Sequence, residues 1–175
     1  MDNAQKYFGK VVSVNEGGKF VEAIILHFGV ANENRWVALD GSLDAFLARI
    51  AKAKKYIPAC YQHDEENLIG QWREFEVSNG TLKAKLFLDD IPFVRDVVIP
   101  QLKSGTLQGA SPTIAPIKDM WNDKNGIWEI VEGALCEVSL VGIPADLRAD
   151  ILTVQASIKA QQKQSDDFDI EILSY

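Results

Sequence analysis

Three residues far apart in the chain carry groups that together could activate a hydroxyl nucleophile. Ser111 lies in the run Gln108-Gly109-Ala110-Ser111-Pro112-Thr113-Ile114. Glu137 lies in Ala134-Leu135-Cys136-Glu137-Val138-Ser139-Leu140-Val141-Gly142-Ile143-Pro144-Ala145. His63 follows the apolar run Ala59-Cys60-Tyr61-Gln62 and is one of two histidines. A serine supplies the nucleophile, an imidazole takes its proton, and a carboxylate orients the ring and balances its charge. Glu137 is the residue least comfortable in a purely structural role, because an unpaired buried carboxylate costs several kcal/mol. Its partner is either an arginine (Arg73, Arg95 or Arg148) or His63. Ser111 is either a strand hydroxyl bonded to backbone or a nucleophile given room by Gly109 and Ala110. His63, beside Asp64, is either a surface histidine at a strand end or a base that titrates near neutrality.

Other chemistries find less support. Cys60 and His63, three residues apart on a strand, are expected on opposite faces, and Cys136 faces away from Glu137, which argues against a thiol nucleophile. His63 with Asp64 lacks a third metal ligand, so no metal or other cofactor is expected. His27, between Leu26 and Phe28, reads as a structural histidine. A formal charge of -7 over 175 residues argues against nucleic acid or an anionic membrane as partner. The one dense basic run, Lys52, Lys54 and Lys55, ends a predicted helix, where it suits the helix dipole. The two cysteines imply neither a disulfide framework nor a zinc site. No basic-then-apolar leader and no apolar run of about 18 residues is present. A reducing cytoplasm is the expected compartment.

The elements that must position these groups follow from periodicity and turn chemistry. With 47% hydrophobic content, one domain over 1–154 is expected, followed by a polar acidic tail over 155–175 that is cleavable or partner-binding. Alternating runs at 10–14 and 19–28 around Asn15-Glu16-Gly17-Gly18 predict a hairpin. Ser42 is the expected N-cap of a helix over 43–54, with Leu43, Phe46, Leu47 and Ile50 on one face. A buried strand over 56–61 ends at His63. Runs at 68–77 and 81–88 around Ser78-Asn79-Gly80 predict a second hairpin with a type I′ turn. A second helix starts at Asp89 or Asp90 with Pro92 in its first turn; Pro100 should kink or end its ladder, and Gly105 closes it. The Ser111 strand spans 106–114, stopped by Pro116. After a turn at 121–126 comes a long strand over 127–141, in which Leu135, Glu137, Ser139 and Val141 share a face. A short helix begins at Pro144. The fold class is α+β, mainly β: an antiparallel barrel or strongly bent sheet of about seven strands, with two or three helices packed outside.

The order of these features resembles the prohead (capsid maturation) serine proteases of tailed bacteriophages, whose fold is related to herpesvirus assemblin. The resemblance covers roughly 11–154. It rests on His63 before acidic residues, Ile69-Gly70-Gln71-Trp72, an Asn-Gly hairpin, Leu102-Lys103-Ser104-Gly105, Leu107-Gln108-Gly109-Ala110-Ser111, and most specifically on the run from Leu135 to Ala145. The family often has Ser-Ile-Gly-Phe where this chain has Ser111-Pro112-Thr113-Ile114, a Ser-Pro version similar to the Mu-type protease-scaffold branch. The resemblance implies Ser111 as nucleophile, His63 as general base and Glu137 as third member. Amides near Gly109 and Ala110, or an arginine holding a water, would serve as oxyanion donors. It further implies scaffold and the N-terminal part of the major capsid protein as substrates and partners, self-cleavage, self-association, and action inside the assembling prohead in the host bacterial cytoplasm. Two rivals stand beside it. One is a catalytically degenerate scaffold or assembly protein of the same fold; the other is a ligand-binding barrel with a cavity lined by Trp36, Trp72 or Trp128.

Overall fold

The alternation of apolar residues along 20–28 and 81–88 becomes two paired strands in the computed structural model, which describes residues 5, 6, 9–14, 20–32 and 34–142. The strands are β1 (Gln5–Lys6), β2 (Gly9–Val14), β3 (Phe20–His27), β4 (Trp36–Ala38), β5 (Ile57–Tyr61), β6 (Asp64–Ser78), β7 (Thr81–Leu88), β8 (Gly109–Asn122) and β9 (Ile127–Val141). Helix α1 spans Asp44–Lys52. A π-helical segment, Val94–Val98, runs directly into α2 (Ile99–Ser104). Two strands are very short, β1 with 2 residues and β4 with 3. The protein is therefore mainly β, with seven longer strands in one mixed sheet.

The sheet differs from the antiparallel expectation at two places. Both β4 and β5 pair parallel with β9, while β2–β3, β3–β7, β6–β7, β5–β6 and β8–β9 are antiparallel. The parallel pairs arise because the chain leaves β4 through α1 and returns in the same direction as β5, as a crossover requires. β8 pairs with β9 along one edge, and along the other with β1 and the first two residues of β2.

Local chemistry explains the element ends. Asn79 and Gly80 both have positive φ (52° and 71°), as a type I′ turn requires. α1 is capped differently from expectation: Leu43 stands at its N-cap with no side-chain cap, and the buried Ser42 hydroxyl finds no partner among the described residues. The Ser42 carbonyl instead accepts from the Gly133 amide of β9 at 2.9 Å, fastening the helix start to the sheet. Pro100 does not end the second helix. Its missing N–H is accommodated by the wider turn just before it, where the Ile99 amide reaches back to the Val94 carbonyl, and Gly105 (φ 74°) closes the helix. Nor does Pro116 stop β8, which continues to Asn122 with register shifts on either side of Lys118.

The core gathers Val21, Ala23 and Ile25 of β3, Leu82, Ala84 and Leu86 of β7, Val138 and Leu140 of β9, and Val94 and Val98 of the π-helical segment. Trp72 is fully buried there, and its indole N–H donates to the Val138 carbonyl at 2.9 Å. Trp36 stacks on Trp128 with ring centroids 5.5 Å apart. Trp72 and Trp36 both belong to this packed core. The segment from Ile143 onward, with the expected short helix and the tail, lies outside the described residues.

Candidate active site

Glu137 sits on β9 directly across the ladder from Thr113, and Ser139 sits across from Ser111. Residues two apart on a strand share a face, as do residues facing each other across a ladder. Ser111, Thr113, Glu137 and Ser139 therefore form one polar patch. It lies on the face opposite Ala110, Val138 and Leu140, which belong to the core. Yet the patch is buried: Ser111 and Ser139 are both 0% exposed.

The expected strand phase holds at Glu137 and breaks just before it. Thr113 pairs with Glu137 but Ile114 pairs with Leu135, so Cys136 is an extra residue in β9. This bulge turns Cys136 outward and returns Leu135 to the core, so Leu135 does not share the Glu137 face as the unbroken alternation predicted.

His63 arrives from the other edge of β9. β5 runs parallel beside it, with Cys60 opposite Ser139 and Tyr61 opposite Leu140, and the Gln62 amide then donates to the Leu140 carbonyl at 3.0 Å. Tyr61 pairs with Asp64, leaving Gln62 and His63 as the two central residues of a tight hairpin turn. Both have positive φ (56° and 61°), the pattern of a type I′ turn without glycine. Strand β6 accordingly begins at Asp64, four residues before the run expected at 68–77. The turn folds His63 back over the patch. Its amide donates to the Ser139 hydroxyl oxygen at 3.1 Å, and its Nδ1 lies 2.9 Å from Glu137 Oε1.

Of the candidate partners for Glu137, the structure therefore selects His63. Arg95 pairs with Asp90, Arg73 packs over the Tyr56 and Phe87 rings, and Arg148 is outside the described residues. The carboxylate accepts from two further donors: Thr113 Oγ1 to Oε1, and Ser139 Oγ to Oε2 at 2.7 Å. Burial pushes the Glu137 pKa up, but the hydrogen bonds from His63, Thr113 and Ser139 outweigh it and hold the carboxyl below its ordinary range. An ionised carboxylate accepts only, so Nδ1 of His63 donates in this pair and Nε2 is not engaged by it. The His63 side chain is 18% exposed, against 6% for that of Glu137.

Thr113 and Ser139 were not singled out from sequence as site residues. Their signal was available: each lies two residues from a candidate, hence on the same strand face. Cys60 stands opposite Ser139 in the parallel β5–β9 ladder. Burial first, and then the Glu137 carboxylate, pushes its thiol up to about 11, which leaves almost no thiolate at neutral pH. Gly109 and Ala110 stand in β8 between β9 and β2. Among the described residues, no group of three His, Cys, Asp or Glu side chains could hold a metal ion.

The chain can now be set beside known proteins. No curated protein sequence matches it. Among solved structures, it is similar to the bacteriophage T4 capsid assembly protease, gp21, with a TM-score of 0.66 at 13% identity, over 82% of this chain and 100% of that one. At such identity the likeness shows a shared fold. The family model for the caudovirus prohead serine protease matches residues 13–164. With that match spanning most of its length, this chain belongs to the caudovirus prohead serine protease family.

Proposed function

We propose that the protein is a serine endopeptidase of phage capsid maturation in which Ser111 is the nucleophile, His63 the general base and Glu137 the third member. The observation that carries this reading is the His63–Glu137 pair, 2.9 Å apart, lying over the rung that joins Ser139 to Ser111. In the mechanism, Nε2 of His63 accepts the Ser111 proton as Oγ attacks a peptide carbonyl. Glu137 stabilises the imidazolium, and the proton passes to the leaving amine as the acyl-enzyme forms. Water, deprotonated by the same imidazole, then releases the acyl group. The oxyanion candidates are the amides of Gly109 and Ala110, whose pairing with β2 is only two rungs long. The pairing of β8 with both β9 and β2 supports a barrel-like closure of the bent sheet, with the site on its outer face.

The substrates are the scaffold segment and the N-terminal portion of the major capsid protein, met inside the prohead in the bacterial cytoplasm. Self-association and self-cleavage belong to the same reading, with the polar segment 155–175 as the cleaved or partner-binding end. Co-expression with capsid and scaffold proteins tests it. The wild-type chain should yield fragments, and Ser111→Ala and His63→Ala should each slow cleavage by about four orders of magnitude or more. Undiminished cleavage by Ser111→Ala would falsify the assignment. The complete burial of Ser111 favours a second reading, a degenerate assembly factor of the same fold. For that protein no fragments form, and Ser111→Ala leaves shell assembly intact.

A further inference from the structure

The basic run that ends α1 lies beside a groove that the candidate active site does not use. This groove, of about 490 Å³, is lined by the C-terminal half of α1, the residues leading into β5, and β6. Its apolar lining comes from Leu47 and Ile50 of α1 and from Phe75 of β6, where the ladder with β7 shifts register between Arg73 and Glu76. Tyr56, 50% exposed, adds its ring. Lys54, in the left-handed region just past the helix (φ 51°), lines the groove together with Lys55 and Arg73. Among the described residues no carboxylate pairs with these three cations, because the ion pairs there join His63 to Glu137, Lys85 to Glu74 and Arg95 to Asp90. Glu74, the one acid of the lining, already has its charge met by Lys85 at 2.7 Å. A chain of formal charge -7 thus keeps an apolar groove with a cationic border.

We propose that this groove holds the chain's own segment 166–173, Asp166-Asp167-Phe168-Asp169-Ile170-Glu171-Ile172-Leu173, docked within the same molecule. From Asp167 to Ile172 acidic and apolar residues alternate without a break. An extended stretch of this kind presents Phe168, Ile170 and Ile172 on one side and Asp167, Asp169 and Glu171 on the other. The apolar row suits the groove, while the carboxylates stay near solvent, where the long lysine and arginine side chains can reach them. All the acids of 155–175 fall within 166–171, so charge and apolar complementarity coincide in one short segment. Reach is no obstacle. Tyr61, the last residue of β5, pairs with Leu140, close to Gly142, and the 5 residues of β5 cover about 17 Å back toward Tyr56. Residues 143–165 can span up to about 80 Å. A tethered contact needs little intrinsic affinity, because the linker rather than the solution sets the effective concentration. A cut within 143–165 removes that advantage, so proteolysis there would empty the groove. The inference stands apart from the assignment of Ser111 as nucleophile.

Photocrosslinking in the full chain tests this, with a benzophenone side chain in place of Phe168 and with Ser111→Ala, so that self-cleavage cannot remove the segment. On irradiation the excited ketone takes a hydrogen atom from a nearby C–H group, and the two carbon radicals join, leaving a tertiary alcohol. Peptide mapping should place the new bond within one chain, at residues 47–56 or 73–75. Lys54→Glu with Lys55→Glu changes two exposed side chains and should lower the yield about fivefold. Adding Asp167→Lys with Asp169→Lys should restore it. Crosslinks scattered over the surface, or a yield indifferent to the lysine changes, overturn the proposal. A yield lost with the lysine changes and not restored by the reciprocal ones overturns the charge pairing on which it rests. Mixing isotopically light and heavy chains separates the remaining case: bonds joining light to heavy put the segment on a second molecule and overturn docking within one.

Discussion

Glu137 shows how a buried charge can be made useful. Alone, a carboxylate this deeply buried would take up a proton; three donors keep it ionised. Because its folded pKa lies below its unfolded one, its contribution to stability is fully present above the ordinary carboxylate range and is lost as pH falls through the folded value. Denaturation profiles of wild type and Glu137→Gln should therefore converge as pH drops from about 5 toward 2. Parallel profiles over that window would show that the carboxylate gains nothing from its partners. Ser139 bears a second, separable part of the arrangement, since one hydroxyl accepts from the His63 amide and donates to Glu137. Ser139→Ala leaves both groups short of a partner and should lower stability by about 1–3 kcal/mol, read from the urea midpoint. Its effect on cleavage should be smaller than that of His63→Ala, because the Nδ1 contact survives.

At the scale of elements, the site depends on the two-residue turn between β5 and β6. A non-glycine residue in the left-handed region costs about 1–2 kcal/mol, and Gln62 and His63 both sit there. Gln62→Gly should thus fold at least as well as wild type. Gln62→Val, β-branched in the same conformation, should lose about 1–2 kcal/mol of stability and much of the cleavage rate, as the imidazole shifts from Glu137. Equal thermal midpoints for the two variants would contradict this. The turn also marks where sequence reading reached its limit. The Asn79-Gly80 turn announces itself by residue type, whereas Gln62-His63 adopts the same geometry because flanking β5 and β6 pair and Ser139 holds the His63 amide. The run expected from residue 68 starts at Asp64 for a related reason: β6 begins exposed, and exposure hides a strand from a pattern built on burial. The three catalytic candidates were legible because each is a chemically costly residue in an apolar run. Thr113 was not, since its meaning depends on the rung it shares with Glu137. The bulge at Cys136 could not be read either, because an extra residue in one strand is defined only by its partner strand.

Across the whole molecule, β9 is the member that makes one site out of three distant segments. It carries Glu137 and Ser139, meets Ser111 and Thr113 of β8 along one edge, and receives β4 and then β5 along the other. Its far end behaves differently, for Trp121 and Trp128 near the β8–β9 turn are 44% and 38% exposed, and Met120 is 51% exposed. Protection against local opening follows buried contact and continuous pairing. Native-state hydrogen exchange should therefore show three tiers. Amides of residues 137–141 and 57–61 should exchange only with global unfolding, those of 119–130 sooner, and those of β1 soonest. Such an order would mean that Ser139, Glu137 and the strand leading to His63 are held by the most stable part of the sheet, while the two-residue edge strand is held by the least. Uniform protection from β1 to β9 would contradict it, because a two-residue strand paired with β8 alone would then open only with the whole domain.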